Sequence, residues 1–111
     1  MDLPMKNCSV SLNRNVDQAA KLLSTMGNAR RLQIICILLN SEIAVGALAE
    51  KIGLSQSALS QHLAKLRKLN LVTARRDAQH LYYSLSSEAA VKVLETLEDI
   101  YGDGASPTAR S

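Results

Sequence analysis

A chain of 111 residues has room for one domain, and 47% hydrophobic residues give it apolar mass for a core. With three Tyr and no Phe or Trp, that core must be aliphatic. No run approaches the roughly 18 apolar residues of a membrane helix, and the N-terminus lacks a secretory apolar region, so a cytoplasmic protein is expected.

The net charge is +3, and its distribution says more than its size. Residues 28–83 hold eight bases against Glu42, Glu50 and Asp77, a local +5, whereas residues 84–111 come to −3. A basic middle segment is the electrostatic footprint of a polyanion-binding surface, although solvated charge gives the same count.

Residues 1–13 show no sustained period and read as a mobile N-terminal arm. The domain is expected over 14–102, with a disordered tail at 103–111. A first helix, about 16–26, carries Val16, Ala19, Ala20, Leu23 and Met26 on one stripe, with Asp17 near its positive end. Gly27 breaks it. Asn28 can cap a second helix in which Leu32, Ile34, Ile35, Cys36, Ile37, Leu38 and Leu39 are apolar on nearly every side, as suits the centre of a domain. Arg30 and Arg31 oppose the dipole of its first turn, so a phosphate or, more plainly, the Glu42 carboxylate is expected to offset them.

Two helices joined by a tight turn follow. Val45, Leu48, Ala49 and Ile52 fall at helical spacing, Gly53 supplies a left-handed stop, and Ser55 offers an N-cap oxygen. Leu59, Leu63 and Leu66 form the buried stripe of the next helix. Ser57, Gln61, Ala64 and Lys68 lie opposite, with Ser60 beside them. The first two turns of that outward face carry no acid and little bulk, and cations arrive later as Lys65, Arg67 and Lys68. Short amides and hydroxyls suit base edges, whereas cations suit phosphates. This is the helix-turn-helix plan, with its second helix in the major groove; the bland alternative is an αα-hairpin with a solvated face.

Val72 and Ala74, then Leu81, Tyr83 and Leu85, alternate as strands do, giving a two-stranded β-wing whose polar tip lacks a Gly-rich turn. A last helix starts at Ser86 or Ser87 and stripes Ala90, Val93, Leu94, Leu97, Ile100 and Tyr101 before Gly102. The first helix and the last, about 87–101, have broader apolar faces than so small a domain can cover, which implies a homodimer through them. The expected architecture is mainly α, about five helices plus the two-stranded wing.

In this order of elements the chain resembles the ArsR/SmtB family of small dimeric winged-helix repressors, over about residues 17–101. Leu54-Ser-Gln-Ser-Ala-Leu-Ser-Gln-His-Leu63, Arg75-Arg-Asp-Ala-Gln79, Tyr82-Tyr-Ser84 and Arg31-Leu-Gln-Ile34 look most like its branch of nodulation, haemolysin and sulfide-responsive regulators. The resemblance implies sequence-specific DNA binding on an inverted-repeat operator. Gln56, Ser57, Ser60 and Gln61 would face base edges. Ser55, Lys65, Arg67, Lys68, Arg75, Arg76, Gln79 and His80 would serve the backbone or wing.

The resemblance also brings metal sites, which this sequence lacks. Where the family has Cys-Val-Cys, this chain has Ala44-Val45-Gly46, and residues 87–101 contain no His for the site on the last helix. Ala and Gly cannot replace thiolates, so no metal and no cofactor is expected. His62 is expected to be a half-buried packing residue. Family thiol sensing pairs a cysteine at the Cys36 position with one near the end of the last helix, where this chain has Gly102. A redox role would therefore need Cys36 with Cys8; the simpler reading is Cys36 as a small buried hydrophobe.

Catalysis is disfavoured, because the sequence holds no Gly-rich phosphate loop, no nucleophile–base set and no paired carboxylates. A winged-helix protein-interaction module is the stronger competitor. It would more often present an apolar or acidic recognition face than this basic, acid-free one.

Overall fold

The computed structural model describes residues 9–103; the expectations for Cys8, for the start of the arm and for Gly104 to Ser111 fall outside them. Its elements in chain order are α1 (Val10–Arg14), α2 (Val16–Met26), α3 (Ala29–Asn40), β1 (Ile43–Ala44), α4 (Val45–Ile52), α5 (Gln56–Lys68), β2 (Val72–Asp77), β3 (His80–Leu85) and α6 (Glu88–Tyr101).

Local sequence sets the helix starts. Asn28 accepts from the Arg31 N–H, Ser55 from the Ala58 N–H and Ser87 from the Ala90 N–H, each satisfying a donor that the first turn leaves orphaned. Two glycines shape the ends. Gly53 stops α4 at φ 81, where any side chain would strain the backbone. At Gly27 a Cβ would lie 2.9 Å from the Leu23 carbonyl oxygen.

Two differences from the sequence expectation concern element count. Val10–Arg14, which overlaps the end of the segment read as an arm, is helical, because Ser9 caps it and Asn15 donates back to the Ser11 carbonyl. The sheet has three strands rather than two, in the order β1-β3-β2, all antiparallel. Ile43 pairs with Tyr83 and Ala44 with Tyr82, so β1 ties the middle of β3 to the start of α4. Two residues cannot display an alternating period, which is why β1 is invisible to pattern.

The core is aliphatic apart from Tyr83, as a chain without Phe or Trp requires. Ile34 and Ile35 of α3, Leu48 of α4, and Leu59 and Leu66 of α5 are fully buried, with Met26, Leu38 and Leu63 almost so. Helix α3 is less enclosed than its composition suggests: Cys36 and Leu39 face outward. The exposed apolar side chains of the flanking helices include Val16 at 50% and Leu23 at 59% on α2, and Ile100 at 48% and Tyr101 at 79% on α6. Burying such groups is worth about 25 cal/mol per Å², so leaving them in water is costly unless something covers them.

Candidate nucleic-acid interface

Helix α5 is clamped on one side and free on the other. Leu59, Leu63 and Leu66 are at most 1% exposed and fix the helix against α3, α4 and β2. The opposite face leaves Gln56, Ser57, Ser60 and Gln61 exposed. Among the described residues, Gln56, Ser60 and Gln61 make no side-chain hydrogen bond, so their donors and acceptors are available. Ser57 lies 3.4 Å from Ser55, hydroxyl to hydroxyl, and Ser55 is already engaged as the cap. Gly46 on α4 leaves room beside Gln56: a Cβ there would stand 3.7 Å from the amide nitrogen. Lys65, Arg67 and Lys68 follow on the last turns, all exposed. The structure thus brings the four expected base-reading residues onto one rigid, acid-free surface.

The wing is different. Its register opposes Asp77 to His80, leaving Ala78-Gln79 as a two-residue tip, with Ala78 at φ 58. Hairpin tips of this length need positive φ, and Ala adopts it here where Gly would be cheaper. Arg75 donates from Nε and Nη2 to the two oxygens of Glu42, at 3.0 and 2.8 Å, and its guanidinium carbon sits 4.8 Å from the centre of the Tyr82 ring. The same hydrogen bonds hold the Glu42 carboxyl below its ordinary pKa. Arg75 is therefore engaged by Glu42 in the absence of DNA, a partner that the charge pattern does not indicate. Arg76, Gln79 and His80 are exposed, and His80 tilts against Tyr82 at 6.2 Å between ring centres.

This pairing also corrects the reading of Arg30 and Arg31. Glu42 serves the wing, because β1 carries it there. Arg30 donates to the Ile52 carbonyl at 3.1 Å and Arg31 to the Thr25 carbonyl at 2.5 Å. Both thus offset the negative C-terminal ends of neighbouring helices, α4 and α2. The second nitrogen of Arg31 is 3.4 Å from Nδ1 of His62. His62 is half-buried, as expected, and its pKa is lowered by burial first and then by Arg31, Lys65 and Arg30.

Cys36 is exposed rather than buried, which overturns its reading as a core hydrophobe. Nevertheless its surroundings push the thiol up, through partial desolvation and then the Glu98 carboxylate, away from the thiolate a reactive cysteine needs. Ala44-Val45-Gly46 spans the junction of β1 and α4 and carries no ligating side chain. Among the described residues, no three of His, Cys, Asp and Glu gather closely enough to share a metal ion. None of the described helices is long and apolar enough to cross a membrane.

Residues 28–74 match the family described as "Bacterial regulatory protein, arsR family". The chain is 54% identical over 103 residues to nodulation protein NolR of Rhizobium meliloti, covering 93% of this chain and 84% of that one. It is 48% identical over 90 residues to the transcriptional activator HlyU of Vibrio cholerae serotype O1, covering 81% and 83%. The crystal structure of NolR from Sinorhizobium fredii superposes with a TM-score of 0.78 at 53% identity, over 92% of this chain and 100% of that one. A homodimeric winged helix-turn-helix DNA-binding domain from Mycobacterium bovis superposes with a TM-score of 0.70 at 31% identity, over 85% and 87%.

Proposed function

The chain belongs to the arsR family of bacterial regulatory proteins and is a DNA-binding transcriptional regulator, and we propose that it acts as a homodimeric repressor on an inverted-repeat operator. One observation carries this reading: a core-anchored helix presents Gln56, Ser57, Ser60 and Gln61 on an exposed surface without a carboxylate. Gln can contact adenine through two hydrogen bonds, and Ser adapts to donors or acceptors on either base. Lys65, Arg67, Lys68, Arg76, Gln79 and His80 then serve phosphates or the minor groove. Ser55 contributes mainly by starting the helix, and Arg75 must first leave Glu42.

The dimer would form through α2 and α6, whose exposed Val16, Leu23, Ile100 and Tyr101 supply the apolar surface. A two-fold axis there sets the two α5 helices about one DNA turn, roughly 34–36 Å, apart. Covering promoter DNA at that site suffices to block transcription, and it places the protein in the cytoplasm with the chromosome. Operation without a redox effector is the reading retained, because Gly102 stands where the family's second cysteine would be. Selection of bound fragments from genomic DNA tests the reading. It should recover an inverted repeat with half-sites one turn apart; a single asymmetric site would contradict the dimer, and activation from that site would contradict repression.

A further inference from the structure

A basic cleft lies where α2 and α3 meet the last turns of α5. Lys21, Ser24 and Thr25 of α2, Arg31 of α3, and Lys65 and Lys68 of α5 line this open cleft of about 360 Å³. Among the described residues no acid lines it, and the sole ion pair is Arg75 with Glu42. Asp17, one helical turn before Lys21, forms no ion pair with it. Four cations thus line the cleft with no carboxylate paired to them among the described residues.

Helix dipoles do not account for them. The C-terminal ends of α2 and α5 contribute about half a negative charge each, so about three of the four positive charges remain unoffset. His62, 3.4 Å from Arg31, has its pKa lowered by burial first and then by the positive charges of Arg31, Lys65 and Arg30. Arg31 is half-buried and held by the Thr25 carbonyl, so one member of the set is preorganised. Ser24 and Thr25 add hydroxyl groups at the rim.

We propose that this cleft seats a phosphate oxyanion, with Lys21 and Arg31 joining Lys65 and Lys68 as its donors. The proposal deepens the DNA-binding reading, since Lys65 and Lys68 extend directly from the recognition helix. The phosphate can come from the DNA backbone, which we expect, or from a free phosphate compound. Either occupant links α2, on the proposed dimer face, to the helix that reads bases.

The test compares wild type with Lys21→Ala, Lys21→Arg and a charge-matched control, Lys92→Ala on α6, in the full-length protein. Lys21 is exposed, so its removal should leave the fold intact, as circular dichroism checks. Lys21→Ala should weaken operator and random duplex by a similar factor and flatten the salt slope by about one unit. Lys21→Arg should restore binding, and Lys92→Ala should change little. In the second arm, inorganic pyrophosphate is titrated while the His62 ring is followed by NMR. An occupied cleft raises the His62 pKa in wild type and much less in Lys21→Ala. If pyrophosphate does this while Lys21→Ala leaves DNA binding unchanged, the source is a free phosphate compound. If Lys21→Ala behaves like Lys92→Ala on DNA and pyrophosphate leaves His62 unmoved, the proposal is overturned. The His62 arm needs no operator, so failure to recover an inverted repeat would leave this test standing.

Discussion

Helix α5 offers Gln56, Ser60 and Gln61 to solvent with no partner among the described residues, whereas the wing's Arg75 is held at two nitrogens by Glu42 and lies over Tyr82. Both regions carry polar side chains suited to DNA, but they hold them in opposite states. On α5 the leucine stripe fixes the backbone and leaves the polar face unengaged. At the wing, β1 brings a carboxylate beside the arginine and removes its charge from the external field. A count of bases along the chain therefore overstates what the wing can give to phosphates.

The largest effect should come from loosening what holds α5. Leu63→Ala empties a nearly fully buried site and should cost about 2–5 kcal/mol of stability, read from the denaturant midpoint. That is a large part of the roughly 5–15 kcal/mol that keeps a domain folded. A loss within that range, accompanied by weaker DNA binding, would confirm that base reading depends on this anchoring. Next, Leu23→Asp puts a charge on the exposed apolar face of α2. It should weaken dimerisation by about thirtyfold or more, as loss of ~2 kcal/mol at an interface centre implies. Sedimentation equilibrium reads this directly, and an unchanged dimer would move the interface elsewhere.

The wing yields a finer comparison. Arg76→Ala should flatten the salt slope of DNA binding by about one unit, because its charge is unpaired. Arg75→Ala should flatten it less, since Glu42 already neutralises that charge. Glu42→Gln should free Arg75 and steepen the slope. Equal slopes for the Arg75 and Arg76 variants would mean that the Glu42 contact gives way on DNA. The smallest effect is at the tip: Ala78→Gly relieves a positive φ but adds chain entropy, for a net gain of about 0.5–1 kcal/mol in thermal or denaturant unfolding.

Much of this contrast is legible in the sequence, and the rest is missing for physical reasons. Asn28, Gly53, Ser55 and Ser87 announce their roles because capping and left-handed turns are local chemistry. The leucines of α5 announce its buried face through their spacing, and with it the four exposed residues opposite. Glu42 gives no such signal. Its partner, 33 residues away, is set by the pairing of Ile43 with Tyr83, and a two-residue strand leaves no period to read. Arg30 and Arg31 are likewise offset by carbonyls of other helices, which no charge pattern records. Cys36 reads as buried because apolar residues surround it in sequence; its exposure depends on which side of α3 the other helices leave uncovered.

The central claim is that the free face of α5 reads bases rather than merely positions the protein. The most direct test is the ratio of affinities for the selected operator and a random duplex, measured by fluorescence anisotropy at fixed salt for wild type, Gln56→Ala and Gln61→Ala. Each good bidentate contact provides ~1–3 kcal/mol of discrimination, so the ratio should fall by about 5- to 150-fold in at least one variant while random-duplex affinity stays within about twofold. Equal losses on both duplexes would contradict the account and leave α5 a positioning element.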